Sequence, residues 1–185
     1  MDSSVEFAAL RDMCPSTVVP GKAVASGYAA GKCSDGPLKC FEECKANNGG
    51  SCYALALLIE KNDDSAGDYP DRLHLRACEL SIVSGCTNRA ARMLEQYPDD
   101  KKIEKCTADT FEKTCSLEDP WGCNMYALAL TAGKGREINL EEALKTAGKA
   151  CKNGDEDTAC QQSKKLVDVI KMIQKKSDPK PAGTP

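Results

Sequence analysis

CSLEDPWGCNMYALALTAGKGREINLEEALKTAGKACKNGDEDTAC, residues 115–160, holds the key to this chain. The first half, Cys123 to Ala132, is dense in alanine, leucine and methionine. It has no proline and no β-branched run, a composition that favours helix and close packing. Gly133 and Gly135 stop it. Asn139 with Glu142 three residues on reads as an N-cap with its capping-box partner. Ala143, Leu144, Ala147 and Ala150 then share one helical face. Lys149 and Lys152 sit in the last turn, where the helix dipole favours cations. The unit is a helix–turn–helix bounded on each side by a pair of cysteines.

The same cysteine pair recurs. First members fall at Cys44, Cys78, Cys115 and Cys151, and second members at Cys52, Cys86, Cys123 and Cys160. A spacing of roughly 36 residues between four successive pairs is the signature of a helical array. Each pair brackets a short turn, so the first cysteine ends one helix and the second begins the next. Disulfides Cys44–Cys52, Cys78–Cys86, Cys115–Cys123 and Cys151–Cys160 are therefore expected, each stapling consecutive hairpins. Closing loops of this size stabilises by roughly 2–3 kcal/mol on the chain-entropy account.

With Ala127, Leu128, Ala132, Gly133, Lys134, Gly135, Ala143, Lys149, Ala150 and Cys151 in place, the pattern resembles the Sel-one-like repeat family, in the cysteine-paired form of the Helicobacter cysteine-rich proteins. The resemblance covers about residues 39–175. It is closest in the third repeat, since the first two carry NDDSAGDYP (62–70) and QYPDDKK (96–102) where the family has a G-x-G turn. It implies an all-α fold, a right-handed α/α superhelix of three to four hairpins similar to tetratricopeptide repeats. It also implies a role in holding partner proteins or peptides, and an association with penicillin binding and weak β-lactamase activity.

Composition narrows the field. The net charge is −3 with lysines and arginines dispersed, which argues against a nucleic-acid partner. The longest apolar run, Tyr53–Ile59, is too short for a transmembrane span. Twelve cysteines at regular spacing point to an oxidising compartment. MDSSVEFAAL has no apolar core of a leader; the family resemblance implies a periplasmic or secreted location with the leader removed, and the mitochondrial intermembrane space as the alternative.

Taken in order, residues 1–38 read as a loop-rich N-terminal cap, with short helices at 1–13 and 23–30. Residues 39–175 form the repeats, ending in a capping helix whose apolar stripe is Leu166, Val169, Ile170 and Ile173. Residues 176–185 read as a disordered tail. Cys14, Cys33, Cys40 and Cys106 stand outside the repeating pairs. One bridge is expected among the first three, and Cys106 is the candidate buried free thiol. His74 is expected on a partly exposed helix surface.

Catalytic and cofactor signatures are missing. GYAAGKC (27–33) fails as a P-loop, one residue short and with Cys33 for Ser/Thr. There is no C-x-x-C pair for a metal or a reactive thiol, no C-x-x-C-H, no G-x-S-x-G and no H-E-x-x-H. The one S-x-x-K, Ser177–Lys180, lies in the tail beside prolines. No cofactor is expected. The first helices of the hairpins should line a concave face presenting Tyr53, Asn88, Arg89, Arg92, Asn124 and Tyr126. Arg89 and Arg92 suit an anionic or C-terminal carboxylate peptide, whereas Trp121 is expected to pack at a junction. The reading is a monomeric, extracytoplasmic interaction scaffold for a protein or peptide. The alternatives are a penicillin-recognising protein and a thiol or metallochaperone-type assembly factor.

Overall fold

A computed structural model describes residues 7, 12–23, 33–62 and 66–177. The described residues contain a 3-10 turn at Pro15–Thr17 and eight α-helices: α1 Pro37–Lys45, α2 Gly49–Asn62, α3 Tyr69–Glu79, α4 Val83–Gln96, α5 Lys101–Ser116, α6 Pro120–Ala132, α7 Leu140–Lys149 and α8 Thr158–Ser177. The fold is all-α and repeat-like. Each helix packs on its successor, α4 also touches α6, and α6 touches α8. No helix among the described residues is long and apolar enough to cross a membrane. The short helices expected at 1–13 and 23–30, the GYAAGKC stretch and the tail from 178 lie wholly or largely outside the described residues.

One turn geometry recurs at the junctions. Three residues after the first cysteine, the chain enters the left-handed region at Asn47, Ser81, Glu118 and Gly154. Their amides donate to the carbonyls of Cys44, Cys78, Cys115 and Cys151 at 2.9–3.0 Å. In the first three junctions the next amide reaches back five residues, Asn48 to Glu43, Ile82 to Ala77 and Asp119 to Thr114. These paired bonds satisfy carbonyls that a helix end leaves orphaned. In these three the following helix begins within two residues of the left-handed one, so two helices meet at a sharp corner, and the disulfide closes it.

All twelve cysteines are paired. Cys44–Cys52, Cys78–Cys86, Cys115–Cys123 and Cys151–Cys160 link consecutive helices with Cα–Cα distances of 4.7, 4.7, 4.3 and 4.3 Å. Cys33–Cys40 ties the N-terminal segment to α1. Cys106 is not a free thiol: it bonds Cys14, across 92 residues of sequence. The N-terminal segment doubles back over α5, a long-range placement that local spacing does not encode.

The interior is a row of small clusters. Phe41, Leu55 and Leu73 centre one on α1–α3. Leu75 with Cys78 and Cys86, and Cys115 with Cys123 and Ala150, form two more around disulfides. Leu130, Ala143 and Ile170 join α6, α7 and α8. On α8 only part of the expected stripe is covered: Ile170 is buried and Leu166 half-buried, while Val169 and Ile173 are exposed.

Candidate functional site

Two helical stripes face each other between α4 and α6. Thr87, Asn88, Ala91, Leu94 and Glu95 come from α4, and Trp121, Met125, Leu128 and Ala132 from α6. Both sets follow i, i+4, i+7 spacing, so each is one face of its helix. Between them lies an open groove of about 450 Å³. A smaller recess of about 40 Å³, with Phe111 and Thr107 of α5 among its walls, lies beside it. From Trp121 to Ala132 the groove runs about 16 Å, three helical turns. Its floor is apolar, and Glu95 and Lys134 supply opposite charges on its walls. Trp121 and Leu128 are 38% and 44% exposed.

Asp119 sets the spacing of the two helices. This buried residue is the N-cap of α6, its carboxylate accepting the Gly122 amide at 2.9 Å. It also accepts the hydroxyls of Ser84 and Thr87 on α4, at 2.7 and 2.6 Å. One carboxylate thus caps the second wall and ties it to the start of the first. Its buried charge is compensated by three donors, as a buried charge must be.

The six residues expected on a concave face do not form one site. Asn88 lines the groove, half-buried, and donates to the Tyr53 hydroxyl at 3.4 Å. Tyr53, Arg89 and Asn124 are buried and present almost nothing to a partner. Tyr126 is half-buried against the α6–α8 cluster, with the Arg136 guanidinium over its ring. The charges of both arginines are engaged by carboxylates of the protein itself. Arg92 pairs with Asp71 and, at 3.2 Å, with Glu60; Arg89 lies 3.5 Å from Asp71. Gln96 donates to the same Asp71 carboxylate at 2.7 Å.

His74 joins this network and is fully buried, its Nε2 3.0 Å from Glu60. It departs from the expected surface position because α3 is enclosed between α2 and α4. Burial pushes the Glu60 carboxyl up, but the hydrogen bond and charge of His74 and the charge of Arg92 outweigh it and hold the group below its usual range. Burial draws the Arg89 guanidinium down against the pull of Asp71. The network locks α2, α3 and α4 together and is structural.

The sequence pattern puts Trp121 at a junction and gives Met125, Leu128 and Leu94 no place on a binding face. A signal was available in the i, i+4, i+7 run of large apolar residues on α6. It was masked because that helix is apolar nearly all round, so no face stood out. Among the described residues no group of histidine, cysteine and carboxylate side chains is placed to hold a metal. No protein-family model matches the chain, and no curated protein matches it.

Proposed function

We propose that this protein is an extracytoplasmic interaction scaffold that holds an apolar segment of a partner protein or peptide in the α4–α6 groove. In this reading the hairpins stack as a right-handed superhelix of the Sel-one-like, tetratricopeptide-like kind, and the protein works as a monomer. The observation that carries the reading is the groove itself. An open, apolar, three-turn channel between two parallel stripes has the shape that accepts an amphipathic helix with anchors at i, i+4 and i+7. An exposed tryptophan at one end is a typical anchor contact. The plastic side chain of Met125 suits a surface that must mould to its ligand. Six disulfides suit an oxidising compartment.

The chain has one tryptophan, and it lies in the groove, so the protein reports its own occupancy. A displayed library of amphipathic helical peptides would be selected on the oxidised protein, and the enriched peptides titrated against Trp121 emission. Saturable binding with a blue shift is expected, weakened at least about tenfold by Leu128→Glu with unchanged helical circular dichroism. Enriched peptides that leave Trp121 emission untouched, or bind the Leu128→Glu variant equally well, would remove the groove as the binding site.

A further inference from the structure

Five of the six disulfides join cysteines seven to nine residues apart and bury at least one of the two. Cys14–Cys106 does neither. It spans 92 residues, and neither of its cysteines is fully buried. It fastens a strap, residues 12–23, across α4 and α5. Met13, Val18 and Val19 of the strap pack on Leu75, Cys78 and Cys86. Lys113 Nζ donates to the Ser16 carbonyl at 2.7 Å. Asp12 forms part of the wall of a cavity of about 450 Å³, which Asp71, Arg89, Met93 and Tyr97 also line. The strap therefore covers the fully buried Cys78–Cys86 bridge and closes one side of the cavity.

Thiol–disulfide exchange needs a thiolate to reach a sulfur, so accessibility sets the order in which bridges open. We propose that Cys14–Cys106 is a site of reversible thiol–disulfide exchange with an external dithiol, and that its reduction unlatches the strap and opens the cavity between α3, α4 and α5. The dithiol's thiolate attacks one sulfur of the bridge. A mixed disulfide forms, the Cys14–Cys106 bond breaks, and the released cysteine thiolate takes up a proton. The second thiol of the dithiol then attacks the mixed disulfide and frees the other cysteine. Two electrons and two protons pass to the protein, and the dithiol leaves as a disulfide. Without the bridge the strap keeps its apolar packing on Leu75, Cys78 and Cys86, the exposed Lys113 bond and the attraction of Asp12 to Arg89. Its departure removes Asp12 from the cavity wall and exposes the Cys78–Cys86 junction.

The test uses the whole oxidised chain. Dithiothreitol is titrated in, free thiols are trapped with N-ethylmaleimide over time, and the labelled peptides are mapped. Cys14 and Cys106 are expected to label together, at least about tenfold faster than any other pair. In a Cys14→Ser, Cys106→Ser variant with the other five bridges intact, strap amides are expected to exchange hydrogen at least about tenfold faster, with peptides from α6 and α7 unchanged. Labelling of Cys33–Cys40 or a junction pair first or in step, or a strap protected in the double variant as in the parent, would overturn the proposal.

Discussion

The phenol of Tyr53 sits where α2 meets α4, nearly out of reach of water. Burial pushes its hydroxyl up to about 12, and the negative charge of Asp119 adds to the shift. The ordinary value, carried by the unfolded chain, is 10.0. Between those two values the folded protein keeps a proton that the unfolded chain has released. Stability is therefore untouched below pH 10 and falls as the pH rises through the window, by about 2–3 kcal/mol in all. Tyr53→Phe removes the ionisable group and gives up the hydroxyl's hydrogen bonds with Asn88 and Ser84. Unfolding free energies from urea titrations at about pH 9 and pH 11 should differ by about 1 kcal/mol more in the parent than in the variant. Equal slopes would mean that water reaches the phenol. The sequence placed Tyr53 on a binding face for the same reason that it missed Leu128. Both lie on helices apolar nearly all round, where periodicity tells helix from strand but does not tell which side faces solvent.

At the scale of elements, the cysteine spacing made the corners between hairpins readable, and the helix boundaries it implied fell within a few residues of those found. The errors share a cause. Residues 49–51, 83–85 and 120–122 look like turn residues, yet they form the first turns of α2, α4 and α6. Glycine is there for proximity rather than for flexibility. A Cβ on Gly85 would lie 2.6 Å from the His74 carbonyl oxygen, and one on Gly122 would lie 2.3 Å from Thr114 Oγ1. The glycine that the turn does need is the left-handed one three residues after the first cysteine. It is present at Gly154, but Ser81 and Glu118 hold φ of 69° and 63° at the matching places. A side chain in that region costs energy that glycine avoids. Ser81→Gly and Glu118→Gly should therefore each raise stability by about 0.5–1 kcal/mol. Loss of the exposed Glu118–Lys152 pair detracts little from the second. Asn47→Gly should gain less, because asparagine tolerates this conformation and Asn47 accepts a hydrogen bond from Arg76. Denaturant unfolding of the oxidised variants gives the values, and a fall in stability for both would show that these side chains hold the corner by contacts rather than strain it.

Over the whole molecule, contacts run from each helix to its neighbours, and the core is a row of clusters rather than one centre. In such an array stability is close to a sum of local and nearest-neighbour contributions. The period of the cysteine pairs announced this organisation. The fold of the N-terminal strap back onto α5 could not be announced, since nothing near Cys14 in sequence points to Cys106. The array makes position matter where loop length does not. Cys78–Cys86 and Cys151–Cys160 close loops of nearly the same size, worth roughly 2–3 kcal/mol each on chain entropy alone. Replacing both cysteines by alanine at 151 and 160 weakens only the end of the row, so α8 should lose amide protection while the main urea transition keeps its slope. The same replacement at 78 and 86 cuts the row between α3 and α4. The transition should then broaden or split, with α1–α3 opening before α5–α7 in hydrogen exchange. The Glu60, Asp71, His74 and Arg92 network spans the cut and will restrain the separation, which makes the 78/86 variant the stricter trial. If it unfolds in one step with the parental slope, the clusters act as a single core and the nearest-neighbour description fails.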